Sequence, residues 1–155
     1  MHDLLRQPDV AFTFAAVPTA PGAARRALRG WFDEHAAADR RQTGVASVED
    51  PIERPLLLAA SEMVANVVRH TAHGGVLRVW DPRPEVPLRM EVEDDDPRLP
   101  VTTRASPDAN TDGGRGLMIL AAIADDWGAF TTAGGKIVWA EFDRSKPRRP
   151  SATPA

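Results

Sequence analysis

The chain of 155 residues contains no cysteine, which excludes a disulfide framework and a thiolate metal site and fits a reducing compartment. It also lacks an excess of one charge. Nineteen basic and 22 acidic residues leave a net charge of −3, so there is no global electrostatic case for binding nucleic acid or an anionic membrane. No window approaches the roughly 18 apolar residues of a membrane-spanning helix, and the opening MHDLLRQPDV has no apolar run of signal-peptide length. Two catalytic signatures are missing as well. There is no Gly-x-Ser-x-Gly elbow and no GxxxxGKS/T loop, which disfavours nucleophile-elbow hydrolysis and a P-loop. We therefore expect a soluble, cytoplasmic protein whose partners are proteins or small molecules.

A hydrophobic content of 43% suffices for one core. A single domain is expected over residues 11–142, preceded by a flexible N-terminus (1–10) and followed by a Pro-, Ser- and Arg-rich tail (143–155) expected to be disordered. Alternation and turn residues predict strands over 11–17, 76–80, 88–93, 127–132 and 136–142. Helical spacing predicts helices over 23–35 and 116–125, and a third that begins between Pro51 and Pro55 and ends at His70. Residues 39–48 read as a connector and 97–113 as a long, lid-like loop. The helices are too bunched for a parallel sheet with a helix after each strand. The expected fold is an α+β two-layer sandwich with helices on one face of a mixed, mostly antiparallel sheet.

The central helix, LLLAASEMVANVVRH, gathers Leu56, Leu57, Ala60, Met63, Val64, Val67 and Val68 on one side. Glu62, Asn66 and Arg69 fall on the other. A Glu and an Asn at i and i+4 stand about 6 Å apart at Cβ, close enough to serve one ligand. The Asn oxygen suits Mg²⁺ and the carboxylate can orient or deprotonate a nucleophile; taken alone, the pair also reads as solvated surface. Period two in LRMEVED carries Asp94 onto the Leu88, Met90 and Val92 side, where a carboxylate needs a donor. An adenine amino group would supply one, and so would a turn or an arginine. Gly113-Gly114-Arg115-Gly116 opens into an apolar helix whose N-terminus could face an anion, although a flexible loop end has the same composition. His70 and His73 have metal-ligand spacing but no third ligand in reach. Asp125-Asp126 and Arg148-Arg149 read as solvated charges.

With these stretches in place the chain resembles a known family. SEMVANVVRH is similar to the N box of the GHKL ATPase superfamily, VEDDDPRLP to a divergent first glycine box, and GGRGL to the second. In length, order and the ending VWAEF it is most similar to single-domain anti-sigma-factor serine kinases and related bacterial regulatory ATP-binding proteins, over residues 12–142. The resemblance implies a Bergerat-type sandwich that binds ATP with Mg²⁺ under a lid. It makes Glu62 the general base, Asn66 the Mg²⁺ ligand, Asp94 the adenine contact, and Gly114, Arg115, Gly116 and Leu117 the phosphate loop. It also implies a homodimer that binds a sigma factor and phosphorylates a serine of a STAS-type antagonist. Two departures stand out. Asp96 and Arg98 occupy the places of glycines in the first glycine box, and Ile137 in GKIVW corresponds to a threonine that helps hold adenine. The alternative is a module of the same fold that sequesters a partner without chemistry. A severed sensor-kinase ATPase domain fits less well, since there is no room for a dimerisation helix pair.

Overall fold

In the computed structural model, which describes residues 6–83, 85–100 and 114–148, the elements run β1 (Val10–Phe14), α1 (Ala20–Thr43), α2 (Glu53–His70), β2 (Gly75–Trp80), β3 (Leu88–Asp94), α3 (Gly114–Ile123), β4 (Asp126–Thr131) and β5 (Lys136–Phe142). The strands form one sheet in the order β1-β2-β3-β5-β4. Every pairing among them is antiparallel, so the expected mixed sheet is corrected on that point. The cause is topological. Two helices between β1 and β2 make three reversals of the chain, an odd number that leaves β2 antiparallel to β1, and β5 inserts between β3 and β4, the two strands that run the same way.

Leu77 and Val79 of β2, Leu88, Met90 and Val92 of β3, and Val138, Ala140 and Phe142 of β5 alternate onto one buried face. There they join Leu56, Ala60, Met63, Val64 and Val67 of α2 and Leu28 of α1 in one core. Helix α1 is longer than its periodic stretch. Ala36 to Ala38 and the following Arg40 and Arg41 are strong helix formers, so residues 39–43 continue the helix instead of opening the connector. Gly44 then ends it, with φ at 70° and its N–H on the Arg40 carbonyl at 2.9 Å.

Both margins of the expected domain are tied down. Before β1, the Asp9 N–H donates to the Val79 carbonyl and the Trp80 indole to the Arg6 carbonyl. After β5, Arg144 grips Asp81 with both terminal guanidinium nitrogens, at 2.8 and 2.9 Å, and its Nε donates to Asp50 at 3.0 Å. Arg83 joins the same two carboxylates. This ring clamps the α1–α2 connector, the β2–β3 loop and the segment after β5 at one end of the sheet. Arg148 likewise donates to Asp125 at 2.6 Å, so Asp125 is paired and not a solvated charge. Residues 1–5 and 149–155 lie outside the described residues.

On the face of the sheet away from the helices, the Trp139 ring lies over Gly128, and the Arg89 guanidinium sits 4.4 Å from its centroid. A methyl group on Gly128 would meet the ring at 2.8–2.9 Å. Gly128→Ala is expected to cost about 1–3 kcal/mol by displacing Trp139, measured as a lower urea midpoint at unchanged slope.

Candidate nucleotide site

Helix α2 presents Glu62 and Asn66 one turn apart, both half-buried, beside the buried Met63 and Val67. It starts at Glu53, between the two prolines that bracket it, and the burial of its apolar stripe in the core leaves Glu62 and Asn66 facing outward. An arginine on α1 helps hold it. Arg25 Nη1 donates to the buried Ser61 Oγ at 2.8 Å, and Ser61 Oγ donates to the Leu57 carbonyl.

The structure brings Glu62 and the phosphate-loop candidates together. A methyl on Gly116 would lie 3.2 Å from Glu62 Oε2, a tight contact, so the first turn of α3 lies directly against this carboxylate. Gly114 is the first residue of α3. The N–H groups of that turn have no partner four residues back in the helix and carry the positive end of its dipole. Leu117 packs in the core at 5% exposure, so it can offer a ligand only its backbone. The Arg115 side chain and residues 101–113, which include Gly113 and most of the expected lid, lie outside what the structure describes.

Asn66 supplies the most telling atom. Its Oδ1 is buried and has no hydrogen-bond partner among the described residues. An unpaired buried amide oxygen costs about 1–3 kcal/mol, and a hard cation or a donor on a ligand would satisfy it. The donor set, a neutral amide oxygen with a carboxylate one turn away, fits Mg²⁺, which takes few protein ligands and completes its shell with water and phosphate. Among the described residues no group of three or more His, Asp or Glu could hold a metal by itself, and His73 pairs instead with Asp95.

Asp94 ends β3 on the helix-facing side, as its alternation requires, with its side chain only 3% exposed. It is not waiting for a donor. Lys136, at 10% exposure, places Nζ 2.9 Å from each Asp94 oxygen and 3.1 Å from the Asp96 carbonyl, and the Asp96 N–H donates to Asp94 Oδ1. The β3–β5 register explains the meeting, since Asp94 stands opposite Lys136, while Ile137 stands opposite Glu93 on the other face. The residue beside Asp94 is therefore Lys136 and not Ile137. Gly135 makes the approach possible, for any Cβ there would overlap the Asp94 carbonyl oxygen. Lys136 was missed although alternation in KIVWAEF places it on the stripe of Val138, Ala140 and Phe142.

The two residues in the places of glycines bind each other. Asp96 accepts from the Arg98 guanidinium at 2.8–3.1 Å and from its backbone N–H at 3.0 Å, contacts that hold its carboxyl well below the usual range. A shallow groove of about 280 Å³, lined by Phe14, His73, Gly75, Asp94, Asp95 and Gly134 among others, opens beside Asp94. Neither Glu62 nor Asn66 lines it.

A family model described as a histidine kinase-like ATPase domain matches residues 14–142. No curated protein matches the chain.

Proposed function

The chain belongs to the histidine kinase-like ATPase domain family of the GHKL superfamily, and on that premise we propose that it is a regulatory serine/threonine kinase. Domains of this family bind ATP, usually with Mg²⁺. In the proposed reading the protein acts in the cytoplasm as a homodimer, sequesters a sigma factor, and transfers the γ-phosphoryl group of ATP to a serine of a STAS-type antagonist. The observation that supports it best is the unsatisfied Asn66 Oδ1, one helical turn from a carboxylate that lies against the first turn of α3.

Each group then has one task. Asn66 would hold Mg²⁺, which when bound would offset the charge of the phosphates. The α3 amides at Gly114 to Leu117, with Arg115, receive the phosphate oxygens. Asp94 faces the base. Glu62 takes the proton from the attacking serine hydroxyl as the new oxygen–phosphorus bond forms and ADP leaves with the electrons of the broken one.

A second reading is a binding module that captures its partner without chemistry, and the Asp94–Lys136 pair favours it because the base contact is already engaged. Incubation with γ-labelled ATP, Mg²⁺ and a STAS-type antagonist separates the two. Label on the antagonist is expected, and its absence from a mixture that still binds ATP would leave the module. In Asn66→Ala, Mg-ATP affinity is expected to fall about tenfold or more by calorimetry, since a charge-assisted contact is lost.

A further inference from the structure

We propose that Lys136 is an internal occupant of the base-recognition position, a lock that sets how tightly this chain takes an adenine nucleotide. The inference rests on the reading of Asp94 as the base contact and deepens it. All three hydrogens of the ammonium group have acceptors within reach, the two Asp94 oxygens and the Asp96 carbonyl, at 2.9–3.1 Å. Asp94 Oδ1 is further engaged by the Asp96 N–H. The carboxylate that an adenine amino group would address is thus neutralised and hydrogen-bonded before any nucleotide arrives.

Chemistry makes the exchange unfavourable for the nucleotide. An amino group on a purine would bring no charge to the Asp94 carboxylate, whereas the ammonium adds the attraction of opposite charges to its hydrogen bonds. A base that displaces Lys136 must also leave it without its partner in a nearly closed site, and burying an unpaired charge is costly. The backbone keeps the lysine there. Asp94 and Lys136 are register partners, Gly135 packs directly on the Asp94 carbonyl, and the β4–β5 turn closes with the Thr132 N–H on the Gly135 carbonyl. The departure is local to the base end. Glu62, Asn66 and Gly116, at the phosphate end, make no hydrogen bond or ion pair to Lys136 among the described residues.

The test is calorimetric titration of the full chain, Lys136→Thr and Lys136→Gln with Mg-ATP, and in parallel with magnesium triphosphate, which has no base. Freeing Asp94 of one charge-assisted contact is expected to tighten ATP binding about tenfold or more in Lys136→Thr. Lys136→Gln, which keeps a neutral donor on Asp94 and so protects the fold, is expected to fall between the two. Triphosphate affinity is expected to stay the same in all three proteins. Equal ATP affinity in the parent and both variants would overturn the lock while leaving the nucleotide site standing, provided that Asn66→Ala still weakens binding. Weaker binding of both ATP and triphosphate in the variants would make Lys136 a phosphate ligand and overturn the lock as well. No ATP binding by any of the folded proteins would remove the nucleotide reading itself, and the lock with it.

Discussion

Replacing Asp81 by alanine is expected to lower stability by about 3–5 kcal/mol, because it leaves Arg144 and Arg83 without their shared carboxylate in a largely buried place. The Asp81 side chain is 1% exposed and accepts from both arginines, with Arg83 Nε at 2.5 Å. Its backbone N–H also donates to Asp9 at 2.7 Å, so three loops distant in the chain meet at one residue. In a chain of this length the melting temperature should fall by about 10 °C. Burial alone would raise the Asp81 pKa, but the hydrogen bonds and charges of Arg144 and Arg83 more than offset it and hold the group below the ordinary carboxylate range.

The sign of the pH dependence follows. A carboxyl whose folded pKa is depressed stabilises the protein fully above its unfolded value of about 4, and that stability is lost as pH falls through the folded value. The isosteric Asp81→Asn cannot lose what it never had. The gap in urea midpoint between parent and Asp81→Asn should therefore be wide at neutral pH and narrow progressively in acid. A gap that does not change with pH would mean that the ring contributes packing and no ionic stability.

Glu62→Gln is expected to reduce phosphotransfer to the antagonist by about 10²–10⁴ while leaving ATP affinity nearly unchanged. The amide keeps the size that packs against Gly116, but it cannot accept the hydroxyl proton. Single-turnover label transfer at saturating Mg-ATP reads the chemical step apart from binding. An undiminished rate would remove Glu62 from the mechanism. A parallel loss of ATP affinity would recast it as part of the metal and phosphate cradle. The variant is best compared in a Lys136→Thr background as well, where the proposed lock no longer limits occupancy.

Much of this architecture was legible before any coordinates. The 3.6-residue period of α2 separated Met63 and Val67 from Glu62 and Asn66, and the twofold period of β3 put Asp94 on the covered side. The glycine pair at 134–135 announced the β4–β5 turn, and β5 begins and ends where alternation placed it. Element ends were less secure. Helix α1 runs past its apolar stripe to Thr43 because its last turns are held by helix propensity and a left-handed Gly44, which a periodicity argument does not weigh.

Local order was thus written in the sequence, because side-chain periodicity and turn chemistry act over a few residues. Contacts between distant segments were decided only in three dimensions. Lys136 reaches Asp94 across 42 positions through one choice of strand register, and a one-residue slip would have put Ile137 there instead. The approach of Gly116 to Glu62 and the grip of Arg144 on Asp81 and Asp50 depend in the same way on how helices and loops pack. A sequence states which faces are apolar, but which charge finds which partner is settled by the packing of those faces.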